Sequence, residues 1–193
     1  YEAFNSLNEA LAQELVDEWL ARLGAALKAF RTFSKTYVLV QNYDQPAEPS
    51  LGIADRGAIL SQTETIQRAN AGLAALAASI PNVYVMDYDA LVAGHGRLEW
   101  ADRRLVYAAR MPIAAKHYWP LAGFYVRHLR PLYGLTKKVL VLDADNTLWG
   151  GVVGDVGLEG IALGHDYPGN AFMAFQRRIL ELYHRGVVLC IAS

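Results

Sequence analysis

Two carboxylates spaced two residues apart at the end of an aliphatic run carry the chemistry of this chain. Val139-Leu140-Val141-Leu142 leads directly into Asp143-Ala144-Asp145-Asn146-Thr147-Leu148-Trp149-Gly150-Gly151. Four consecutive apolar residues read as a strand buried on both faces of a sheet, and open α/β sheets bind ligands beyond the ends of such strands. Asp143 at that end can attack phosphorus and carry the phosphoryl group as an aspartyl phosphate, while its charge holds a divalent cation. Asp145, clear of the strand, can protonate the leaving oxygen and then activate water, and its carbonyl adds a second metal ligand. Magnesium suits this pair, because it accepts one or two carboxylates and keeps phosphate oxygens and waters as its other ligands. The competing reading is an Asx-rich turn in which Asp and Asn satisfy only local backbone groups.

The elements that must position these groups are legible on both sides. Downstream, Pro168-Gly169-Asn170 supplies a turn and a helix start. Phe172, Phe175, Ile179 and Leu182 recur at helical spacing, and Gly186 after Arg185 stops the helix. A second aliphatic strand, Val187-Val188-Leu189-Cys190-Ile191-Ala192, follows. Strand, helix, strand predicts a parallel βαβ unit with Cys190 packed inside it. Upstream, Phe4, Leu7, Leu11, Leu15, Trp19, Leu23 and Leu27 mark one face of a long amphipathic helix. A strand at Tyr37–Val40, a loop with Pro46 and Pro49, a helix over Ile59–Ile80, a strand at Val83–Met86 and a helix from Ile113 to Leu132 complete an α/β pattern. Tyr133-Gly134-Leu135-Thr136-Lys137-Lys138 joins the two parts.

Asp143-Ala144-Asp145-Asn146-Thr147 resembles the first motif, DxDxT, of the haloacid dehalogenase-like (HAD) superfamily of phosphatases and phosphotransferases. The longer stretch Leu142 to Gly164, with Gly169 to Gln176 and Arg185-Gly186-Val187, is similar to the FkbH-like branch (subfamily IIIC) of that superfamily. The resemblance implies an Mg2+-dependent enzyme of polyketide biosynthesis that takes a glyceryl unit from 1,3-bisphosphoglycerate, removes phosphate and loads the unit on an acyl carrier protein. By position, Asp143 would be nucleophile and metal ligand, Asp145 acid/base and metal ligand, and Thr147 and Ser193 phosphate-binding groups. The glycine-rich stretch 150–164 would be a hairpin flap that excludes water from the site, with Asp155 and Glu159 as solvated turn residues. Residues 134–193 would thus be the opening βαβ of a HAD-like Rossmannoid domain, and residues 1–133 the later part of an SGNH-hydrolase-like domain. In that first part Asp102 and His117 are the nearest acid and base candidates, but their fifteen-residue separation departs from the DxxH spacing of SGNH esterases. The expected reading is a loop Asp, a helix-flank His and, at Asn42, a turn residue.

A net charge of -1 provides no broad basic field, so nucleic acid is not an expected partner. A single cysteine excludes an internal disulfide. No apolar stretch approaches the roughly 18 residues that span a bilayer, and no signal-peptide pattern opens the chain, so a cytoplasmic protein is expected. Arg127, His128 and Arg130 form a small basic cluster that reads as a solvated face. Two other functions remain open: a phosphatase for another small phosphoester, and a noncatalytic carrier-protein docking fragment. The resemblance places a phosphate-neutralising Lys and further metal-binding acids beyond Ser193, so the chain reads as a piece of a longer protein. The isolated chain should therefore bind magnesium weakly and release little phosphate, and robust turnover by the purified chain would overturn this expectation.

Overall fold

A computed structural model of the protein describes residues 9–58 and 61–192. The chain forms two compact units, Tyr1–Leu132 and Tyr133–Ser193. In the first, helix α1 (Glu9–Phe33) leads to strand β1 (Val38–Gln41), helix α2 (Gln62–Ala78) and strand β2 (Val83–Met86). Short helices α3 (Tyr88–His95), α4 (Arg97–Trp100) and α5 (Arg103–Ala109) and the longer α6 (Tyr118–Leu132) follow. Strands β1 and β2 pair in parallel, with Val38 against Val83 and Gln41 against Met86.

Alternation along these strands divides the core. Val38, Val40, Val83 and Val85 pack with Leu23 and Leu27 of α1 and with Leu76, Ala77 and Ile80. Leu39 and Met86 join Leu91, Val92, Trp100, Leu121 and Phe124. Leu15, Trp19 and Leu23 are half-buried and Leu27 is buried, so the expected apolar face of α1 is present over these positions. Phe4 and Leu7 lie outside the described residues, as do Ile59 and Leu60 at the expected start of the second helix. The last helix starts later than the spacing predicted, because Ile113 is bridged to Ala101 and a 3-10 turn, Ala115–His117, comes first. Periodicity missed α3 to α5, which are too short to show a repeating face; α3 and α5 are set by caps, Asp87 accepting from Ala90 N–H and Asp102 from Arg104 and Leu105 N–H.

The second unit contains β3 (Val139–Leu142), α7 (Val153–Gly160), α8 (Gly169–His184) and β4 (Val188–Ile191). The two strands are parallel, with Leu142 against Ile191, as a βαβ unit requires. Burial on both strand faces is not observed. Val139, Val141 and Val188 are half or more exposed and Cys190 is exposed, and the register places all four on one face. The sequence expectation of a packed Cys190 is therefore corrected: among the described residues nothing covers this face of the two-stranded sheet. The expected hairpin flap is also corrected. Gly150 and Ala162 exchange two backbone hydrogen bonds, of 3.1 and 2.7 Å, but the chain between them turns helical as α7. Its glycines offer no β-branched alternation to sustain a ladder, and Gly157, at φ 66° and ψ 176°, breaks the helix midway.

Among the described residues no helix is long and apolar enough to cross a membrane. One buried acid anchors the first unit. Asp55 is 1% exposed, and its carboxylate accepts from Ser61 Oγ at 3.0 Å and from the N–H groups of Gln62 at 2.9 Å and Thr63 at 3.3 Å. Burial pushes its carboxyl up, but bonds from the Thr63 and Ser61 side chains and from the Gln62 and Thr63 N–H groups together outweigh burial and hold it below the ordinary carboxylate value. A lowered folded value means that this stabilisation is complete above the ordinary carboxylate range and is lost as pH falls through the lowered one. Asp55→Ala should cost roughly 2 kcal/mol by removing these acceptors from the α2 N-terminus. Urea unfolding should show that cost at neutral pH and show it shrink below about pH 4.

Candidate active site

The loop after β3 is organised by backbone groups that leave the strand with no ladder to join. Asn146 takes the left-handed conformation, φ 53°, which its short amide tolerates. Its side-chain oxygen accepts from Gly151 N–H at 2.8 Å, and its own N–H donates to Gly151 O at 3.3 Å. Gly151 sits at φ 99°, where a side chain would be strained. Leu148 N–H donates to Ala144 O at 2.8 Å, and Gln176 Nε2 of α8 donates to Leu148 O at 2.7 Å. The turn is thus closed on itself and tied to the crossover helix.

The two carboxylates are placed differently. Asp143 is exposed, and one of its oxygens accepts Ala144 N–H at 2.9 Å. The other takes no protein donor among the described residues. Asp145 is half-buried, and its Oδ1 accepts both Trp149 Nε1–H at 3.0 Å and Val153 N–H, at the start of α7, at 3.2 Å. A pocket of about 510 Å3 opens beside it, lined by Ala144, Asp145, Trp149, Val153, Gly154, Leu158 and Ile161. One carboxylate is therefore free to meet a ligand, while the second is held by two donors at the mouth of a largely apolar pocket. Hard oxygen donors of this kind fit a magnesium ion, which needs one or two carboxylates. Among the described residues no group of three or more His, Cys, Asp or Glu forms a metal cluster.

Thr147 is half-buried in the same turn, with its N–H 3.3 Å from Ala144 O. Ser193 lies outside the described residues. Strand β4 runs to Ile191, and Ala192 N–H donates to Leu142 O at 2.9 Å, so β4 ends beside the strand that carries Asp143. Sequence reasoning missed Trp149, Val153 and Gln176 as supports. Only Trp149 left a signal, an indole four residues from a carboxylate in a glycine-rich turn.

In the first unit Asp102 and His117 do not meet. Asp102 caps α5, whereas His117 is buried, stacks on Trp100 with ring centroids 4.7 Å apart and places Nε2 2.9 Å from Glu99 O. Asn42 bridges β1 to the start of α3, donating to Asp87 Oδ1 at 2.9 Å and accepting Asp89 N–H at 3.1 Å. The amides and carboxylates named here are therefore occupied by turns and caps. His128, in the basic cluster, lies on α6 with Nδ1 2.8 Å from Phe124 O. A separate cavity of about 360 Å3 lies between α1, α2 and the segment after β1, lined by Trp19, Tyr43, Asp44 and Ile66 among others. Burial pushes the Asp44 carboxyl up, against the pull of its own backbone N–H and of nearby Arg97.

No protein-family model matches the chain, and no curated protein matches it. A solved structure to which it is similar is the N-terminal part of the protein BF1531 from Bacteroides fragilis, described as containing a phosphatase domain complexed with Mg. The similarity has a TM-score of 0.85 and 26% sequence identity over 98% of this chain. It supports a fold shared with that phosphatase-domain protein. This chain spans about half of that solved chain, 50% of its length.

Asn146→Ala should remove the amide acceptor and force alanine into the left-handed region, at a combined cost of roughly 2 kcal/mol. Hydrogen exchange should show the Gly151 N–H losing protection, with the β3–β4 amides following only if the turn supports the strands.

Proposed function

We propose that the chain carries the nucleophile and acid/base of an Mg2+-dependent phosphatase-type enzyme, acting in the FkbH-like manner on 1,3-bisphosphoglycerate to load a glyceryl unit on an acyl carrier protein. The observation that carries the chemistry is the pair at the end of β3: an exposed Asp143 with a free oxygen, and Asp145 held by Trp149 and Val153 beside a pocket. The similar solved phosphatase-domain structure, complexed with Mg, supports the same class of activity and the same cofactor. The glyceryl unit and the carrier protein rest on the motif resemblance.

In this reading Asp143 attacks the phosphorus of the C3 phosphate ester, the bond to the C3 oxygen breaks, and Asp145 gives that oxygen a proton. The C1 acyl phosphate is kept for the carrier protein's thiol, which forms the glyceryl thioester as inorganic phosphate leaves C1. Water then attacks the aspartyl phosphate, Asp145 takes the proton, and inorganic phosphate leaves with Asp143 regenerated. Bound magnesium supplies charge neutralisation for the phosphate oxygens, and the Asp143 carboxylate and Asp145 carbonyl are the groups that would hold it. Thr147 and Ser193 would support the phosphoryl group.

A second reading, a phosphatase for a different small phosphoester, is favoured by the pocket itself. Trp149, Val153, Leu158 and Ile161 give it apolar walls, whereas a glyceryl unit is polar. The discriminating experiment measures phosphate release and carrier-protein acylation by the full-length protein with magnesium and 1,3-bisphosphoglycerate. Release and acylation together, both falling at least about 100-fold in Asp143→Asn, are expected. Release without acylation selects the other phosphatase. Stoichiometric carrier binding with no release in the wild type would make the chain a docking fragment.

A further inference from the structure

We propose that Trp149 is a positioning residue that selects which oxygen of Asp145 exchanges the proton. This inference rests on the reading of Asp145 as acid and base and goes beyond it. A carboxylate has two equivalent oxygens until its surroundings distinguish them. Here Oδ1 accepts the Trp149 indole N–H at 3.0 Å and Val153 N–H at 3.2 Å, while Oδ2 has no donor among the described residues. With Oδ1 engaged twice, Oδ2 is the oxygen left to face a leaving group.

The indole is itself held. Residues Asp145 and Trp149 form a backbone bridge, and Leu148, next to Trp149, is tied through its carbonyl to Gln176 of α8. Trp149 is half-buried and lines the pocket at Asp145, so its ring supplies the wall while its N–H fixes the carboxyl. Val153 N–H alone would leave the carboxyl plane free to swing about that one bond. Two donors from different directions remove this freedom, and orientation of this kind is what proton transfer to a leaving oxygen depends on.

The test uses the full-length protein with phenyl phosphate, whose leaving group needs a proton, and p-nitrophenyl phosphate, whose leaving group departs without one. Trp149→Phe keeps an aromatic wall and deletes the N–H. It should lower kcat for phenyl phosphate by about 10-fold or more, a fraction of a whole acid's contribution, with KM unchanged and with a much smaller loss for p-nitrophenyl phosphate. Trp149→His, which restores a ring N–H, should recover part of the loss. Equal losses on both substrates, or a loss confined to KM, would overturn the proposal. Persistence of turnover in Asp143→Asn would instead sink the aspartyl mechanism beneath it. Apart from turnover, the Trp149 indole N–H should exchange slowly with solvent and faster in Asp145→Ala, as read by NMR on 15N-labelled tryptophan. An unchanged exchange rate would also overturn the proposal, even if Trp149→Phe fails to fold.

Discussion

Backbone polar groups must find partners wherever a strand stops, and the second unit is built around that requirement at the carboxyl end of β3. Beyond Leu142 no ladder remains for the chain to join, so peptide groups of residues 144–151 bond within a turn closed on itself, and Gly150 bonds Ala162. The Asn146–Gly151 exchange, the Leu148 bond to Ala144 and the Gln176 bond to Leu148 are the parts of that closure. Their consequence is chemical. The turn leaves Asp143 exposed, turns Asp145 inward, and starts α7 with an N–H directed at the second carboxylate.

The same turn separates the two acids into different environments although they are two residues apart. Asp143 keeps an oxygen without a protein donor, which suits a nucleophile that must approach phosphorus and share charge with a cation. Asp145 gives one oxygen to two donors and keeps the other free, which suits a group that must hand a proton in one direction. The apolar walls of the adjoining pocket come from Trp149 and α7, so the elements that hold the Asp145 carboxylate also shape the space beside it.

The first unit uses equivalent chemistry for structure. Asp55, Asp87, Asp89 and Asp102 accept backbone N–H groups at helix starts or in turns, and Asn42 joins this set at the end of β1. Their side chains are consumed by backbone demand, locally for Asp55, Asp87 and Asp102 and between the segment after β1 and the start of α3 for Asp89 and Asn42. His117 is likewise committed, stacked on Trp100 against the Glu99 carbonyl. Neither residue type nor the number of backbone donors separates such positions from Asp143 and Asp145, since Asp87 and Asp89 also take one backbone N–H each. Their place does: Asp143 and Asp145 follow the end of β3, and Asp145 lines a pocket there.

The amino-acid sequence by itself determined the strands, the long helices and the place of the two carboxylates, because these follow from runs and periodicities that are local in the chain. It also marked the turn by its Asn and Gly residues. Tertiary structure alone decided three things. The stretch 153–160 became a broken helix, since Gly150 and Ala162 close its base with a single bridge and no second strand pair extends it. Among the described residues Cys190 lies exposed on one face with Val139, Val141 and Val188, because a side chain's burial depends on what lies across from its strand and cannot be read from the strand's own composition. Trp149 reached Asp145 because the turn folds back across four residues, a closure fixed by hydrogen-bond geometry and invisible to hydrophobic pattern.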